Sequence, residues 1–345
     1  MYKTCGCFII PKDVLDRLAN DKSLSEAARK ALTDTRAGED IWRRLRTAHA
    51  FATNATMASR GLSATLATSP KVSVFTCNQT TSLPGTPVAN PGSSADMTAK
   101  RTFDLTTEVA KFYKSAFGRN SIDDAGMTMI SSIHYDENYN NAFWDGNQMT
   151  YGDGDGEIFV DFTKSDDVIA HELTHGVTQY TTALNYQNQA GGLNESISDV
   201  FGSMFRQWMA GQDVTAADWL IGSEIMGPAA TARGFRCLRD MAYPGAAHCL
   251  APQPQHYSNY RPGSDPHESS GIPNHAFYLA AMALGGKSWE QLGKVWYGAM
   301  TTGRPSPGMR FRTFANRTCR AARTLFPGEP NVLASVKAGW AGVGL

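Results

Sequence analysis

The stretch His171-Glu172-Leu173-Thr174-His175 places two imidazole rings four positions apart, with a carboxylate directly after the first ring. On an α-helix, residues i and i+4 lie on the same face, so both rings can reach one metal ion while Glu172 lies beside them. The stretch therefore predicts a helix over residues 167–180 that supplies two metal ligands and a base.

A second stretch, Asn194-Glu195-Ser196-Ile197-Ser198-Asp199, adds two carboxylates at a helical spacing. A catalytic zinc ion takes three protein ligands and keeps one position open for water, and Glu195 on a second helix would complete a His/His/Glu set. The zinc ion acidifies its bound water, and Glu172, which is not a ligand, can take the proton. Asp199 lies one helical turn beyond Glu195, where it can accept the other N–H of a ligand histidine and fix its tautomer.

Five-residue patterns of this kind also occur by chance in unrelated helices, so the first stretch alone does not decide the chemistry. The second stretch favours the catalytic interpretation. A longer zinc pattern, HExxHxxGxxH, is excluded because Thr178 and Thr181 stand where it requires glycine and histidine. We therefore expect a carboxylate as the third ligand.

The chain resembles the thermolysin family of zinc metallopeptidases over residues 70–345. The segments that carry the resemblance, in the family's order and spacing, are Asn141-Ala142-Phe143-Trp144-Asp145-Gly146, Tyr151-Gly152-Asp153-Gly154-Asp155-Gly156, residues 171–180 and residues 194–202. The resemblance implies an α+β fold of two lobes with the zinc helix between them. The N-terminal lobe would be β-rich and span 69–183, including the zinc helix, and the C-terminal lobe would be α-helical and span 184–345.

The periodicity of the sequence agrees with this implied fold. Short β-like runs at 72–75 and 127–135 alternate with turns around one helical stretch at 106–117. Beyond residue 166 the pattern is mostly helical, with helices predicted at 168–180, 193–210, 273–284, 288–301 and 309–325.

The resemblance also assigns roles to the polar residues of the two stretches. It implies that His171, His175 and Glu195 bind zinc. It implies further that Glu172 polarises the zinc-bound water for attack on a peptide carbonyl, and that Asp199 orients His171.

Two further side chains would stabilise the oxyanion if the resemblance holds. Tyr186 matches the family's hydroxyl donor and His267 its histidine donor, and such donors typically contribute a few kcal/mol each. Without the family, Tyr186 is a loop aromatic and His267 a histidine in a turn. The family's longer connection before this histidine is replaced here by Asp265-Pro266-His267, which leaves open whether Asp265 orients the ring.

Substrate contacts are implied in the same way. Asn141 and Ala142 match the pair at the cleft edge that binds the substrate backbone through a side-chain amide and a main-chain carbonyl, and Arg239 matches a carbonyl-binding arginine. The residues that match an apolar pocket for the residue after the scissile bond are Phe159, Phe162, Val168, Ile221 and Leu238. Ordinary core packing is the alternative for these five. The pocket implies cleavage before Leu, Phe or Ile.

The resemblance is weakest at the double calcium site that members of the family often carry. Calcium takes six to eight oxygen ligands, but only Asp167 and Asp218 of the expected carboxylates are present. Arg206, Leu220 and Ser223 stand where Glu is expected. Calcium binding elsewhere stays open, but we predict that the double site is absent.

Residues 1–68 are predicted to form a propeptide and connector. Two short amphipathic helices are predicted at 11–19 and 23–32, the second with Ser23 as its N-cap. The opening Phe8-Ile9-Ile10-Pro11 is similar to that of the protealysin branch of the family, whose members carry a compact propeptide. Removal of this segment would activate the enzyme.

The six cysteines do not establish a disulfide framework. A thiolate is a good zinc ligand, so one hypothesis is a cysteine switch in which Cys5 or Cys7 occupies the open zinc position. The alternative is that these two thiols have no role. Cys237 and Cys249 bracket Arg239 and could form a local disulfide.

Composition limits the possible partners. The apolar content of 42% is enough for full cores, the net charge of zero argues against nucleic acid, and no run approaches the roughly eighteen apolar residues of a membrane helix. We expect protein or peptide substrates, the propeptide as an intramolecular inhibitor, and a monomer. The N-terminus does not read as a secretory signal, so we expect secretion without a classical leader, with the cytoplasm as the alternative.

Three functions fit these observations. The first is a zinc-dependent neutral endopeptidase, made as a zymogen, that cleaves on the amino side of bulky hydrophobic residues. The second is a catalytically inactive, zinc-containing peptide-binding relative, but a structural zinc would be closed by four protein ligands and would need no base such as Glu172. The third is an aminopeptidase, which would need an acidic pocket for the free amine, and no motif indicates one.

Overall fold

The computed structural model describes residues 7–40 and 70–345, and a six-stranded mixed sheet forms the core of the N-terminal half of this described chain. The strand order is β1-β5-β6-β4-β2-β3; the pairs β2/β4 and β4/β6 are parallel and the others antiparallel. The strands are β1 (Cys7–Phe8), β2 (Val72–Thr80), β3 (Thr86–Pro87), β4 (Met129–Tyr135), β5 (Ala142–Trp144) and β6 (Met149–Tyr151). A second, two-stranded sheet pairs β7 (Leu220–Ile221) with β8 (Arg239–Asp240).

Helices dominate the chain after residue 165, as the sequence predicts. The helices are α1 (Lys12–Ala19), α2 (residues 26–40), α3 (Met97–Phe117), α4 (Asp166–Gln179), α5 (Asn188–Ala210), α6 (Pro228–Ala232), α7 (Pro266–Ser269), α8 (Gly271–Leu284), α9 (Gln291–Thr301), α10 (Phe311–Leu325) and α11 (Pro330–Gly342). Within the described residues, no helix combines the length and apolarity needed to cross a membrane.

Three local features differ from the predictions. Helix α2 begins at residue 26, and Ser25, not Ser23, caps it by accepting the Ala28 N–H at 3.0 Å. Helix α3 starts well before the predicted 106, because the Asp96 carboxylate accepts from the N–H groups of Thr98 and Ala99. Helix α11 lies beyond the predicted elements.

The crossing of α4 and α5 positions the predicted site. Asp166 and Asp167 lie in the first turn of α4, where carboxylates are favoured by the helix dipole. A Cβ atom on Gly202 of α5 would lie 2.8 Å from the Asp167 carbonyl oxygen, so glycine lets the two backbones approach closely. This close crossing brings Glu195 opposite His171 and His175.

The N-terminal segment, residues 7–40, is docked on the rest of the chain. Strand β1 extends the sheet beyond β5, and α1 buries Val14, Leu15 and Leu18. At the outer side, the Ser25 hydroxyl donates to Glu157 at 2.5 Å. The segment therefore continues the core of the N-terminal lobe across the edge of the sheet.

Candidate metal centre and active-site cleft

Helices α4 and α5 bring the three predicted zinc ligands together. The Nε2 atoms of His171 and His175 are 3.0 Å apart, Glu195 Oε2 is 3.3 Å from His171 Nε2, and Glu195 Oε1 is 3.5 Å from His175 Nε2. Ligands about 2.0–2.1 Å from a tetrahedral zinc lie roughly 3.4 Å from one another. The triangle of donor atoms therefore fits one zinc ion.

Hydrogen bonds on the far side of each ring fix its orientation. His171 Nδ1 lies 2.9 Å from Asp199 Oδ1, the pairing that the family resemblance implies. His175 Nδ1 lies 2.9 Å from Asn194 Oδ1 and 3.1 Å from the Ser198 hydroxyl. Both rings therefore turn Nε2 toward Glu195, the orientation a metal ligand requires.

The charge balance of this buried site attracts a cation. Burial alone would lower the pKa of His171, but the hydrogen bond to Asp199 and the nearby Glu195 raise it to about 9. Burial lowers the pKa of His175 to about 3, so this ring is neutral and suited to metal binding. The negative charges of Asp199 and Glu195 that favour a proton on His171 also favour a divalent metal ion, which competes with that proton.

Asp199 connects the predicted zinc ligand His171 to Arg239. Its carboxylate accepts hydrogen bonds from Nε and Nη2 of Arg239, at 2.8 and 2.7 Å, and from the Asn274 amide at 2.8 Å. Burial raises the pKa of Asp199, but the Arg239 charge and the His171 hydrogen bond outweigh it and hold the pKa well below its usual range. Asp199 is therefore an anion that orients both His171 and Arg239.

The other predicted catalytic side chains surround the ligands. Glu172 is fully buried beside His171 in the chain. The Tyr186 hydroxyl donates to Glu195 Oε1 and lies 3.4 Å from His267 Nε2. Asp265 Oδ1 lies 2.6 Å from His267 Nδ1, so the short Asp-Pro-His connection still allows this pairing.

Residues 8–10 lie in the cleft on the groups predicted to bind substrate. The Ile9 N–H donates to the Ala142 carbonyl at 3.1 Å, and Arg239 Nη1 donates to the Ile9 carbonyl at 3.1 Å. Asn141 accepts the Ile10 N–H at 2.9 Å and donates to the Ile10 carbonyl at 3.2 Å.

A further contact of this segment involves His267, the predicted histidine donor. His267 Nε2 lies 2.5 Å from the Phe8 carbonyl oxygen. Together with the bonds of Ile9 and Ile10, this contact fixes the segment at three consecutive residues.

The five residues predicted to line the specificity pocket are completely buried and belong to one apolar cluster with Ile9. The rings of Phe159 and Phe162 are 5.6 Å apart, and Leu238 donates its N–H to the Ile221 carbonyl at 2.9 Å. Burial is also what core packing produces, so the role of the five as a pocket stays a prediction.

The cysteine-switch hypothesis concerns the open zinc position beside His175 and Glu195. The Cys7 sulfur lies within 4.8 Å of ligand atoms of His175 and Glu195. Cys7 is disulfide-bonded and so offers no thiolate here. Cys5 lies outside the described residues.

Several polar residues of the site were missed in the sequence. Asn194 and Ser198 hold His175, Asn274 holds Asp199, and the Gln253 amide donates to the His267 carbonyl. Asn194 and Ser198 are four apart on α5 and flank Glu195, so helical periodicity could have identified them. Asn274 and Gln253 come from distant loops or helices, and no local pattern indicates them.

The geometry defines a class of enzyme. The donor atoms of two histidines and a glutamate are spaced to fit one zinc ion, with a buried glutamate, a tyrosine and a histidine around them, which is the arrangement expected of a zinc-dependent metallopeptidase. Two family models match the chain: the thermolysin metallopeptidase catalytic domain over residues 51–179 and the thermolysin metallopeptidase alpha-helical domain over residues 182–345. The chain belongs to the thermolysin family, in its protealysin-like branch, and is a metalloendopeptidase.

Individual relatives agree with the family assignment. The chain is 40% identical over 284 residues to an extracellular metalloprotease of Pectobacterium carotovorum subsp. carotovorum, covering 79% of this chain and 80% of the relative. It is 40% identical over 264 residues to protease PrtS of Photorhabdus sp. (strain Az29), covering 74% and 71%.

A solved structure extends the similarity to the N-terminal segment. The precursor of protealysin, a metalloproteinase from Serratia proteamaculans, matches with a TM-score of 0.84 and 34% identity, covering 98% of this chain and 99% of that chain. The predicted two-lobed α+β fold with a preceding propeptide is therefore confirmed.

Proposed function

We propose that the chain is the zymogen of a zinc-dependent neutral endopeptidase that cleaves before bulky hydrophobic residues, and that residues 8–10 keep it latent by binding as a substrate would. The observation that carries this proposal is the set of bonds from Asn141, Ala142, Arg239 and His267 to three consecutive backbone units of the segment.

The three zinc ligands and Glu172 have separate roles in peptide hydrolysis. Zinc held by His171, His175 and Glu195 would act as a Lewis acid toward water and the peptide carbonyl. Glu172 accepts the proton of the attacking water and passes it to the leaving amine.

The negative charge that develops on the carbonyl oxygen meets two donors. His267, held by Asp265, and the Tyr186 hydroxyl both lie on the cleft side of the metal ligands. Burial alone would lower the pKa of His267, but Glu195 and Asp265 raise it, so the ring favours the protonated, donating form. Preorganised donors of this kind are worth about 3–4 kcal/mol in the transition state.

The register of the segment supports the proposed specificity. The Phe8 carbonyl lies at His267, so the peptide bond between Phe8 and Ile9 is aligned where a scissile bond would lie. Ile9 then occupies the position after that bond, and its side chain is completely buried in the main apolar core, to which Val168 and Leu238 also belong. This supports a preference for Ile, Leu or Phe after the scissile bond.

The name of the Pectobacterium relative, an extracellular metalloprotease, supports export of this enzyme. We propose that it works outside the cell as a monomer on protein and peptide substrates.

Hydrolysis of a blocked peptide that contains Gly-Leu tests the activity. Residues 70–345 and the full chain are compared with and without a zinc chelator, alongside Glu172→Ala. We expect cleavage between Gly and Leu by residues 70–345 that disappears with chelator and in the variant. Zinc binding without cleavage in every sample would instead favour the inactive peptide-binding relative.

Latency is tested separately in the full chain. Ile9→Asp puts a carboxylate into the apolar cluster and should increase hydrolysis of the same peptide, whereas Lys12→Asp, an exposed change in the same segment, should not. A peptide with the sequence of residues 7–11 should inhibit residues 70–345 competitively. Noncompetitive inhibition, or equal activity of the two variants, would contradict binding in the cleft.

A further inference from the structure

A second group of metal-binding side chains lies outside the catalytic site, at residues 237–249. Cys237, His248 and Cys249 each offer a ligand atom, and these atoms all lie within 4.8 Å of one another. Both thiols are free, with the cysteines buried, and the His248 side chain is 26% exposed. The group shares no residue with the His171, His175 and Glu195 centre.

The backbone holds the two cysteines side by side. The Arg236 N–H donates to the His248 carbonyl and the Leu250 N–H to the Cys237 carbonyl, both at 2.9 Å. Cys237 and Cys249 therefore form a parallel bridge that fixes the separation of their side chains.

The sulfur separation fits a metal better than a disulfide. The Cys237 and Cys249 sulfurs are 3.9 Å apart. A disulfide needs about 2.05 Å, whereas two thiolates on a tetrahedral zinc with Zn–S of about 2.3 Å lie roughly 3.8 Å apart. The observed distance leaves room for an ion between the sulfurs.

A carboxylate supports the histidine. His248 Nε2 lies 2.9 Å from Asp240 Oδ2, and the other oxygen of Asp240 accepts the N–H groups of Ala242 and Tyr243. Ligand histidines commonly donate one ring N–H to such a carboxylate and use the other nitrogen for the metal. With Nε2 held by Asp240, Nδ1 is the ring nitrogen of His248 that remains for a metal ion.

We propose that Cys237, Cys249 and His248 bind a second, thiophilic metal ion, of which zinc is the natural candidate. Two sulfur and one nitrogen ligand are a soft set that suits zinc, and the partial exposure of His248 leaves the fourth position to water. Because Arg239 and Asp240 lie only two and three residues after Cys237, the ion would brace strand β8, whose Arg239 donates to the Ile9 carbonyl and to Asp199.

The metal content of the full chain, purified under reducing conditions, tests this proposal. We expect about two zinc ions per wild-type chain and about one in the Cys237→Ser/Cys249→Ser double variant. Cys77→Ser, a buried cysteine elsewhere in the sheet, is the matched control and should keep both ions. His175→Ala should lose the catalytic ion and keep the second, so failure of the catalytic site and failure of this site give different results.

Cobalt provides a second measurement that does not depend on activity. The cobalt-loaded chain should show thiolate-to-cobalt charge-transfer absorption that is absent in the double variant and unchanged in Cys77→Ser and His175→Ala. The proposal is overturned if wild-type and double-variant chains bind equal amounts of zinc. It is also overturned if mass spectrometry of the wild type finds a Cys237–Cys249 disulfide under these conditions.

Discussion

Two clusters of charged side chains lie along helices α4 and α5, one around His171 and Glu195 and the other around Asp167 and Arg206, and their carboxylates are compensated in different ways. The ligand cluster of His171, His175, Glu195 and Asp199 is arranged around a place for a metal ion. The carboxylate cluster of Asp166, Asp167 and Glu224 instead shares one cation, Arg206, which lies 3.6, 3.3 and 2.6 Å from these three carboxylates.

The difference shows what decides whether buried carboxylates need a metal ion. Asp167 is completely buried, and it is satisfied by Arg206, the Ser165 hydroxyl at 2.5 Å and the Gly222 N–H at 2.9 Å. A guanidinium group is a permanent cation, so a calcium ion at this place would meet repulsion. The prediction that the double calcium site is absent rests on this arginine.

Removal of one carboxylate from each cluster should have different effects on the zinc content of the catalytic site. Glu195→Gln should reduce the zinc content of the catalytic site to almost none, because a neutral amide is a poor zinc ligand. Glu224→Gln, in the carboxylate cluster, should leave it unchanged. Metal analysis of chains with the Cys237→Ser/Cys249→Ser background isolates the catalytic ion. Equal zinc in the two variants would contradict the assignment of Glu195 as a ligand.

Asp199→Asn tests the support of the ligand cluster. The amide can still contact His171, but it loses the negative charge that pairs with Arg239 and polarises the ring. We expect zinc affinity to fall about 10–100-fold, measured by competition with a chelator. Asn274→Ala removes one donor to Asp199 without touching His171, and its effect should be smaller.

Arg206→Ala should leave Asp166, Asp167 and Glu224 without the cation that they share. Loss of one partner of a buried pair typically costs about 3–5 kcal/mol, and the 18% exposure of this side chain places the expected loss of unfolding free energy near the lower end. Calcium should recover part of the stability of Arg206→Glu and should not change that of the wild type. Denaturant unfolding with and without calcium measures both, and a calcium response in the wild type would be evidence against the role given to Arg206.

A third charge cluster is centred on His134 of β4, whose imidazole, unlike the guanidinium of Arg206, can lose its proton. His134 lies between Asp153, at 2.8 Å, and Asp96, at 3.0 Å, and the hydrogen bond to Asp153 raises its pKa from 6.5 to about 9 against the effect of burial. Because the folded-state pKa is raised, this stabilisation is complete below the unfolded value and is lost as the pH rises through about 9. His134→Gln should therefore lower the melting temperature more at pH ~6 than at pH ~10. An equal decrease at both pH values would rule out a charged His134.

Local patterns predict one part of the site and miss another. The spacing of His171 and His175 and of Glu195 and Asp199 follows from helical periodicity, so each pair could be placed on one face from sequence alone. The family resemblance places Arg206 at a calcium-ligand position, but its contact with Glu224 depends on the loop after β7.

Contacts between distant segments were accessible only through family resemblance or through the structure. His267 and the Phe8 carbonyl are 259 residues apart in the chain, and no periodicity relates them. The resemblance identified the propeptide but gave no register for Phe8 and Ile9. The Asp265–His267 pairing was open in the sequence because the connecting turn is short, and Asp265 meets the ring by capping α7.

Glu172→Gln tests the central claim most directly, because it separates the catalytic base from the ligands beside it. Zinc content and hydrolysis of the Gly-Leu peptide are measured on the same samples of residues 70–345, wild type and variant. We predict that the variant keeps the full zinc content of the wild type and loses hydrolysis. A variant that keeps zinc and still cleaves the peptide at the wild-type rate would contradict the account.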